Sequence, residues 1–206
     1  MDARDLGPRQ LDALREVANI GAGHAATALS QMVNTRIMVD IPEIKIVKLE
    51  DVGELLGPPD EIVSACMMQL LGDVTGRTVQ IFPWRTAVQL TSVLLEHPDS
   101  DKRPEDFGEA EQSALREISN VLVGAYINAL SEFMGLMLIM SPPSIAIDTA
   151  QAVLTTSYLN FGDHHDYVFA VNTRLGMDTN TDLGAHFLLL PDDASLKVIL
   201  RALRIG

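Results

Sequence analysis

The stretch LREVANI at residues 14–20 has a near twin in LREISNV at residues 115–121. Laid over one another at a constant shift of 101, residues 12–42 and 113–143 agree at ten of thirty-one positions without a gap. The shared residues are Ala13, Leu14, Arg15, Glu16, Asn19, Gly23, Ala28, Leu29, Ser30 and Pro42. A looser likeness continues downstream, where Phe82-Pro83 and the helical pattern WRTAVQLTSVLL answer Leu190-Pro191 and DDASLKVILRAL. A period near 100 residues is far longer than a solenoid unit, so the chain reads as one pseudo-two-fold domain over residues 1–206, made of two repeats at about 8–97 and 105–204.

Each repeat opens with a long helical pattern, about residues 8–33 and 105–134. In the first, Leu11, Leu14, Ala18, Gly21, Ala25 and Leu29 recur at three- and four-residue steps. Pro8 suits a first helical turn. β-Rich segments follow: RIMVDIPEIKIVKL, then EIVSACMMQLL turning at GDVTGR into TVQIFP; in the second repeat LMLIMSPPSIAI, then HDYVFAVNTRL and LGAHFLLL. Each repeat closes with a helix introduced by a proline. GPPD at 57–60 and HPDSDKRPED at 97–106 read as loops, the latter joining the repeats. With no regular alternation of strand and helix, this order predicts an α+β fold with a largely antiparallel sheet and two long surface helices.

Composition narrows the function. The chain has 47% hydrophobic residues in 206, enough for a substantial core. It lacks an uninterrupted apolar run of about 20 residues, and MDARDLGPRQ lacks a secretion-signal pattern, so a soluble, cytoplasmic protein is expected. With 28 acidic and 15 basic residues the net charge is −13, which repels phosphate backbones and anionic lipid; neither nucleic acid nor membrane is expected as a partner. The single cysteine, Cys66, sits in the apolar run EIVSACMMQL and reads as a small core hydrophobe.

At 100° per residue, Asp12, Glu16, Asn19 and Gly23 fall within a sector of about 60° on the first long helix, opposite its apolar face. Ser113, Glu117, Asn120 and Gly124 do the same on the second. A helix-interior glycine costs about 1 kcal/mol relative to alanine, so one placed on the polar face a turn beyond each asparagine predicts cleared space beside the amide. The plainer reading makes Glu and Asn solvated helix residues and lets the glycines bend the helix or permit a close crossing. Two copies at equal spacing from a glycine and a proline, in a segment where only a third of positions match, argue for more. A carboxylate and an amide on adjacent turns cannot run a nucleophilic mechanism alone. The amide can hold a water by one donor and one acceptor without repelling a phosphoryl anion, and the carboxylate can pair with a partner's cation. A convex helix suits insertion into another protein's cleft better than small-molecule binding.

The spacing D/S-x3-E-x2-N-x22-P, complete in Asp12, Glu16, Asn19 and Pro42 and again in Ser113, Glu117, Asn120 and Pro143, resembles the signature of the CheC, CheX and FliY family of phosphatases. With NIGAGHAATALS around the first copy, the likeness covers nearly the whole chain and is greatest for the two-motif CheC branch. It implies a monomeric phosphatase for a phosphorylated CheY-like response regulator. Asn19 and Asn120 would orient water for in-line attack on phosphoaspartate, and Glu16 and Glu117 would engage the regulator's active-site lysine. Asp12, Gly23, Ser113 and Gly124 would line the docking stripe. No cofactor or metal is expected on this chain, because the regulator would bring its own Mg²⁺. The resemblance also implies CheD as a partner, which leaves open an adaptor that docks CheD or the flagellar switch with little hydrolysis. His24 departs from the asparagine expected in GAGNAATALS.

Other signals are weaker. DHHD at 163–166 has ligand residue types, but adjacent histidines at a turn point apart. His97 precedes a proline, His186 sits in an apolar strand and Trp84 opens a helix; each reads as structural. Asn34 reads as a helix end and Asn128 as a helix-face polar residue. A metal-dependent phosphohydrolase of small substrates lacks a convergent carboxylate and histidine cluster.

Overall fold

In the computed structural model the described residues are 8–96, 102–161, 167–177 and 181–203. The elements run α1 (Pro8–Val33), β1 (Ile37–Lys48), a 3-10 segment (Leu49–Leu55), β2 (Ile62–Gly72), β3 (Gly76–Pro83) and α2 (Trp84–Leu94) in the first repeat. A 3-10 turn (Pro104–Asp106) leads into α3 (Glu109–Met134), β4 (Leu138–Met140), β5 (Ser144–Thr149), α4 (Ala150–Phe161), β6 (Tyr167–Met177), β7 (Thr181–Pro191) and α5 (Asp193–Ala202). The expected α+β class and the duplication hold.

Several details differ from the sequence reading. The second long helix starts at Glu109 rather than 105, because Gly108 is its N-cap and donates its N–H to Glu111 Oε2 at 3.0 Å. LMLIMSPPSIAI splits into two strands around Pro142-Pro143. Helix α4 was not anticipated, since its first-repeat counterpart is only the 3-10 segment. The last helix is capped by Asp192, which accepts from the Ser195 N–H at 2.8 Å, not by Pro191. Both long helices end in the left-handed region at positions 101 apart, Asn34 (φ 48°) and Gly135 (φ 65°).

All seven strands form one antiparallel sheet in the order β1-β6-β7-β3-β2, with β4 and β5 both pairing with β2 at the far edge. The repeats exchange their first strands. β1 of the first repeat pairs with β6 of the second, Ile37 opposite Met177 and Lys48 opposite Tyr167. In the second repeat, Leu138 stands opposite Gly72 and Thr149 opposite Ile62. Advancing β1 by 101 residues and setting β6 back by 105 carries nine of the ten pairs of the first edge on to pairs of the second; the tenth, Asp40 with Arg174, maps to Ser141 and Gln69, where the Ser141 N–H donates to the Gln69 carbonyl at 2.9 Å. The third strands, β3 and β7, meet at the middle, with Gln80 opposite Phe187.

Both faces of the sheet are covered, which explains why EIVSACMMQLL reads as a continuous apolar run rather than an alternation. On one face, the long helices with α2 and α5 bury Leu14, Val17, Leu29, Leu115, Ile118, Leu122 and Ile127 against Phe82, Phe169, Leu175 and Phe187. On the other, the 3-10 segment and α4 bury Val52, Leu56, Val153 and Leu154 against Val63, Ala65, Val79, Ile81 and Leu188. Helices α1 and α3 cross at Gly21, where an added Cβ would lie 2.8 Å from Tyr126 Cδ1 and 3.1 Å from Tyr126 Cα. Residues anticipated as structural behave so. Cys66 is buried, and burial pushes its thiol up to about 11. Trp84 donates its indole N–H to the Lys102 carbonyl at 2.8 Å and meets Phe107 edge-on at 4.9 Å. His186 is half-buried in β7, and desolvation lowers its pKa. His97 and residues 163–166 lie outside the described residues.

Gly21→Ala is expected to cost about 1–3 kcal/mol in denaturant unfolding, because the opposing atoms include helix backbone that cannot step aside. Because each repeat lends a strand to the other, a chain carrying either repeat alone is expected to lack stable secondary structure by circular dichroism. The two pieces mixed together are expected to regain it.

Candidate functional site

The ten identities between the repeats sort by what each does in the fold. Leu14, Leu29, Ala114, Leu115, Ala129 and Leu130 are buried and pack the core beneath the helices. Ser30 ties the end of α1 to β1, its hydroxyl accepting from the Ile37 N–H at 2.8 Å and donating to the Ala26 carbonyl at 2.6 Å. Ser131 donates likewise to the Leu136 carbonyl after α3. Pro42 lies at the register shift between Asp40 and Glu43 in β1, and Pro143 between β4 and β5; a proline removes one ladder donor at each edge. Arg15 pairs with Asp12 at 3.2 Å on the surface, an exposed ion pair worth little to stability.

The fold explains none of what remains: Glu16, Asn19 and Gly23 on α1, with Glu117, Asn120 and Gly124 on α3. The two carboxylates and two amides are exposed and make no hydrogen bond or ion pair among the described residues. A Cβ on Gly23 would meet nothing within 4 Å, and on Gly124 only Met140 Cε at 3.7 Å. The helix crossing therefore falls on Gly21; Gly23 is left with open space, and half-buried Gly124 has only the flexible end of Met140 beside it. Asp12 completes the first row, its carboxylate shared with Arg15, and Ser113 completes the second as an exposed hydroxyl. His24, beside Gly23, is exposed as well.

Two neighbours were missed. Ile20, next to Asn19, is 44% exposed, an apolar side chain on the rim of the first row. Met140 flanks Gly124 in the second row, where the shift of 101 puts the shorter Val39 in the first. The signal for Ile20 lay in the helical spacing, since it falls off the apolar face; Met140 has no such signal, because its reach to α3 depends on the edge strand. The rows also rest on different floors. Under the first lies an apolar cavity of about 50 Å³ lined by Leu14, Val17, Ala18, Tyr126, Phe169 and Val171, among others. Under the second, the buried side chains include Ser64, Thr78, Gln80 and Ser119.

Among the described residues, no group of three or more His, Cys, Asp or Glu is arranged to hold a metal ion, and no helix is long and apolar enough to cross a membrane. Each row offers a neutral amide able to donate and accept, a carboxylate one turn away, and a gap that admits a close neighbour. These can orient a water and engage a cation on another molecule, without a nucleophile of their own.

A model of the CheC-like family matches this chain twice, over residues 10–46 and 111–147, one match on each long helix and the strands after it. The chain is 34% identical over 197 residues to the CheY-P phosphatase CheC of Bacillus subtilis (strain 168), covering 94% of this chain and 93% of that one. Among solved structures, Thermotoga maritima FliY superposes with a TM-score of 0.78 at 19% identity, covering 98% of both chains. A chain of the CheX-CheY-BeF3-Mg²⁺ complex from Borrelia burgdorferi superposes with a TM-score of 0.54 at 14% identity, covering 86% of this chain and 97% of that one. At these identities the structural matches establish the fold.

Since its surroundings are open, Gly23→Ala is expected to stabilise the protein by roughly 0.5–1 kcal/mol in denaturant unfolding, by restoring helix propensity to α1. A loss of stability would mean that the glycine serves the fold.

Proposed function

This chain belongs to the CheC-like family, and on that premise we propose that it is a phosphatase acting on the aspartyl phosphate of a CheY-like response regulator. The observation that carries this reading is the pair of exposed, unpartnered rows, Glu16-Asn19-Gly23 and Glu117-Asn120-Gly124, whose identity between repeats no intramolecular contact requires. The Bacillus subtilis relative, named for this activity, supports it.

In this mechanism one row enters the regulator's active-site cleft. Asn19, or Asn120 in the other row, accepts one hydrogen bond from a water and donates another to its oxygen, holding it in line with the P–O bond of the acyl phosphate. Water adds at phosphorus, the bond to the aspartyl oxygen breaks, and inorganic phosphate and the free carboxylate leave. An acyl phosphate is already labile, so positioning the water supplies the acceleration without a covalent intermediate. Glu16 and Glu117 pair with the regulator's active-site lysine and fix the docking angle. Gly23 and Gly124 let the regulator's backbone come close beside the amide, and Ile20 and Met140 give each row one apolar contact. The regulator's own Mg²⁺ belongs to the substrate, and this chain's residues act around it.

Decay of a phosphorylated CheY-type regulator, followed with and without the protein, tests this. Asn19→Ala and Asn120→Ala are each expected to slow dephosphorylation while leaving the melting temperature nearly unchanged. The double variant is expected to lose on the order of 100-fold or more, the scale at which misplaced reactants lose their advantage. Glu16→Ala and Glu117→Ala are expected to weaken regulator binding as well as turnover, and Gln at either position to recover part of the binding. A double asparagine variant with near wild-type activity would sink the mechanism and leave docking, of CheD for instance, as the role.

A further inference from the structure

Beneath the turn of α3 that carries Glu117 and Asn120, the core is unexpectedly polar. Cys66 on β2 stands opposite Gln80 on β3, and Met68 opposite Thr78. Alternation along each strand puts Ser64, Cys66, Thr78 and Gln80 on one face, toward α3, where the Cys66 thiol lies 3.8 Å from the Leu115 carbonyl. Ser119 sits one turn further along α3, near enough to Cys66 to lower its pKa slightly against the larger effect of burial, yet not in a hydrogen bond of normal geometry. Ser64, Thr78 and Ser119 are fully buried and Gln80 is 1% exposed. The three hydroxyl oxygens and both polar atoms of the Gln80 amide find no hydrogen-bond partner among the described residues.

The other repeat supplies a built-in contrast. The strand shift of 105 that relates β2 to β6 carries Ser64 and Cys66 on to Phe169 and Val171, and the helix shift of 101 carries Ser119 on to Ala18. These three line the apolar cavity under the first row. The polarity is therefore particular to one repeat, and packing of the shared fold does not require it.

We infer that this cluster is a built site for internal water, held between α3 and strands β2 and β3. Its donors and acceptors are all neutral: three hydroxyls that can do either and one carboxamide that does both. The one charge felt at Cys66 among the described residues is that of Arg116, which makes no hydrogen bond to the cluster; a cation would be repelled, an anion would find no direct ionic partner, and a small neutral molecule that donates and accepts is matched. Ser64 stands opposite Phe82 and Thr78 opposite Met68, so Gln80, diagonal to Ser64 and next to Thr78 on the same face of β3, is the group nearest both; diagonal neighbours stand about 7–8 Å apart, a gap that a water beside the long Gln80 side chain can bridge. Such a water offers up to four hydrogen bonds to groups that otherwise have none, and buried waters with two to four polar partners are retained. The lining of the apolar pocket under the first row offers one side-chain hydroxyl, that of Tyr126, and Thr173 already partners it at 3.2 Å, so a water there would find little to hold it.

Rotating-frame water–protein NOE measurements on the whole ¹⁵N-labelled chain test this, with water itself as the probe. Cross-peaks of the sign given by a long-lived bound water are expected at the Gln80 side-chain amide and the Ser119 backbone amide, and absent at the Ala18 and Val171 amides. Absence at Gln80 and Ser119, or equal cross-peaks at Ala18 and Val171, overturns the inference. Thermal unfolding gives a second reading. Gln80→Leu and Ser119→Ala are each expected to lower the melting temperature, because each takes a partner away from the water. If the cluster is dry, removing an unsatisfied polar group raises the melting temperature instead, and that result refutes the site.

Discussion

The exchange of first strands between the repeats is the constraint on which the rest of the molecule depends. β1 finds its hydrogen bonds on β6, and β4 and β5 find theirs on β2, so neither repeat closes its own sheet. The contact of β3 with β7 then joins the two exchanged edges into a single surface. Each long helix runs directly into an exchanged strand, so the positions of α1 and α3 are set by pairing in the opposite repeat as well as by their own crossing at Gly21. That crossing fixes which way each helix is turned, and with it the outward direction of Glu16, Asn19, Glu117 and Asn120.

The same arrangement separates two kinds of identity that the aligned repeats cannot tell apart. Leu14 with Leu115 and Leu29 with Leu130 are accounted for by burial in the core clusters beneath the helices, and Ser30 with Ser131 by the need of a helix to hand its chain to a strand. Pro42 and Pro143 interrupt the ladder where each edge strand bends. Once those are accounted for, the glutamates, asparagines and glycines are left with no duty inside the protein. A partner that needs close approach to an amide is the economical explanation, because a helix gains propensity, not loses it, when an unhindered glycine becomes alanine.

The duplication, the long helices, the antiparallel sheet and the polar rows were legible in the sequence, because helical spacing, strand runs and glycine-rich turns are local signals. The strand exchange was not. β1 paired with β2 of its own repeat and β1 paired with β6 of the other would show the same side-chain pattern, so nothing in the run IMVDIPEIKIVK favours either. Helix α4 was hidden because AQAVLTTSYLNF carries β-branched and aromatic residues and its counterpart LEDVGEL makes only a 3-10 segment. Gly21 read as one more small residue on an apolar face, and only the approach of Tyr126 shows why it has no side chain. The hydroxyls and amide under α3 were likewise invisible, since Ser, Thr and Gln spaced along two strands declare nothing until the strands are aligned.

The exchange also sets a timetable for synthesis. The partners of β1 lie far downstream, from Lys48 with Tyr167 to Ile37 with Met177, separations of 119 to 140 residues. At about 5–20 residues per second, a ribosome takes roughly 6–30 s to deliver β6 after β1 has emerged. Through that interval β1 is an unpaired strand, able to pair with β1 of a neighbouring chain. Asp40, Glu43, Lys45 and Lys48 place charge along the waiting edge, which keeps it solvated during the time its topology leaves the strand without a mate.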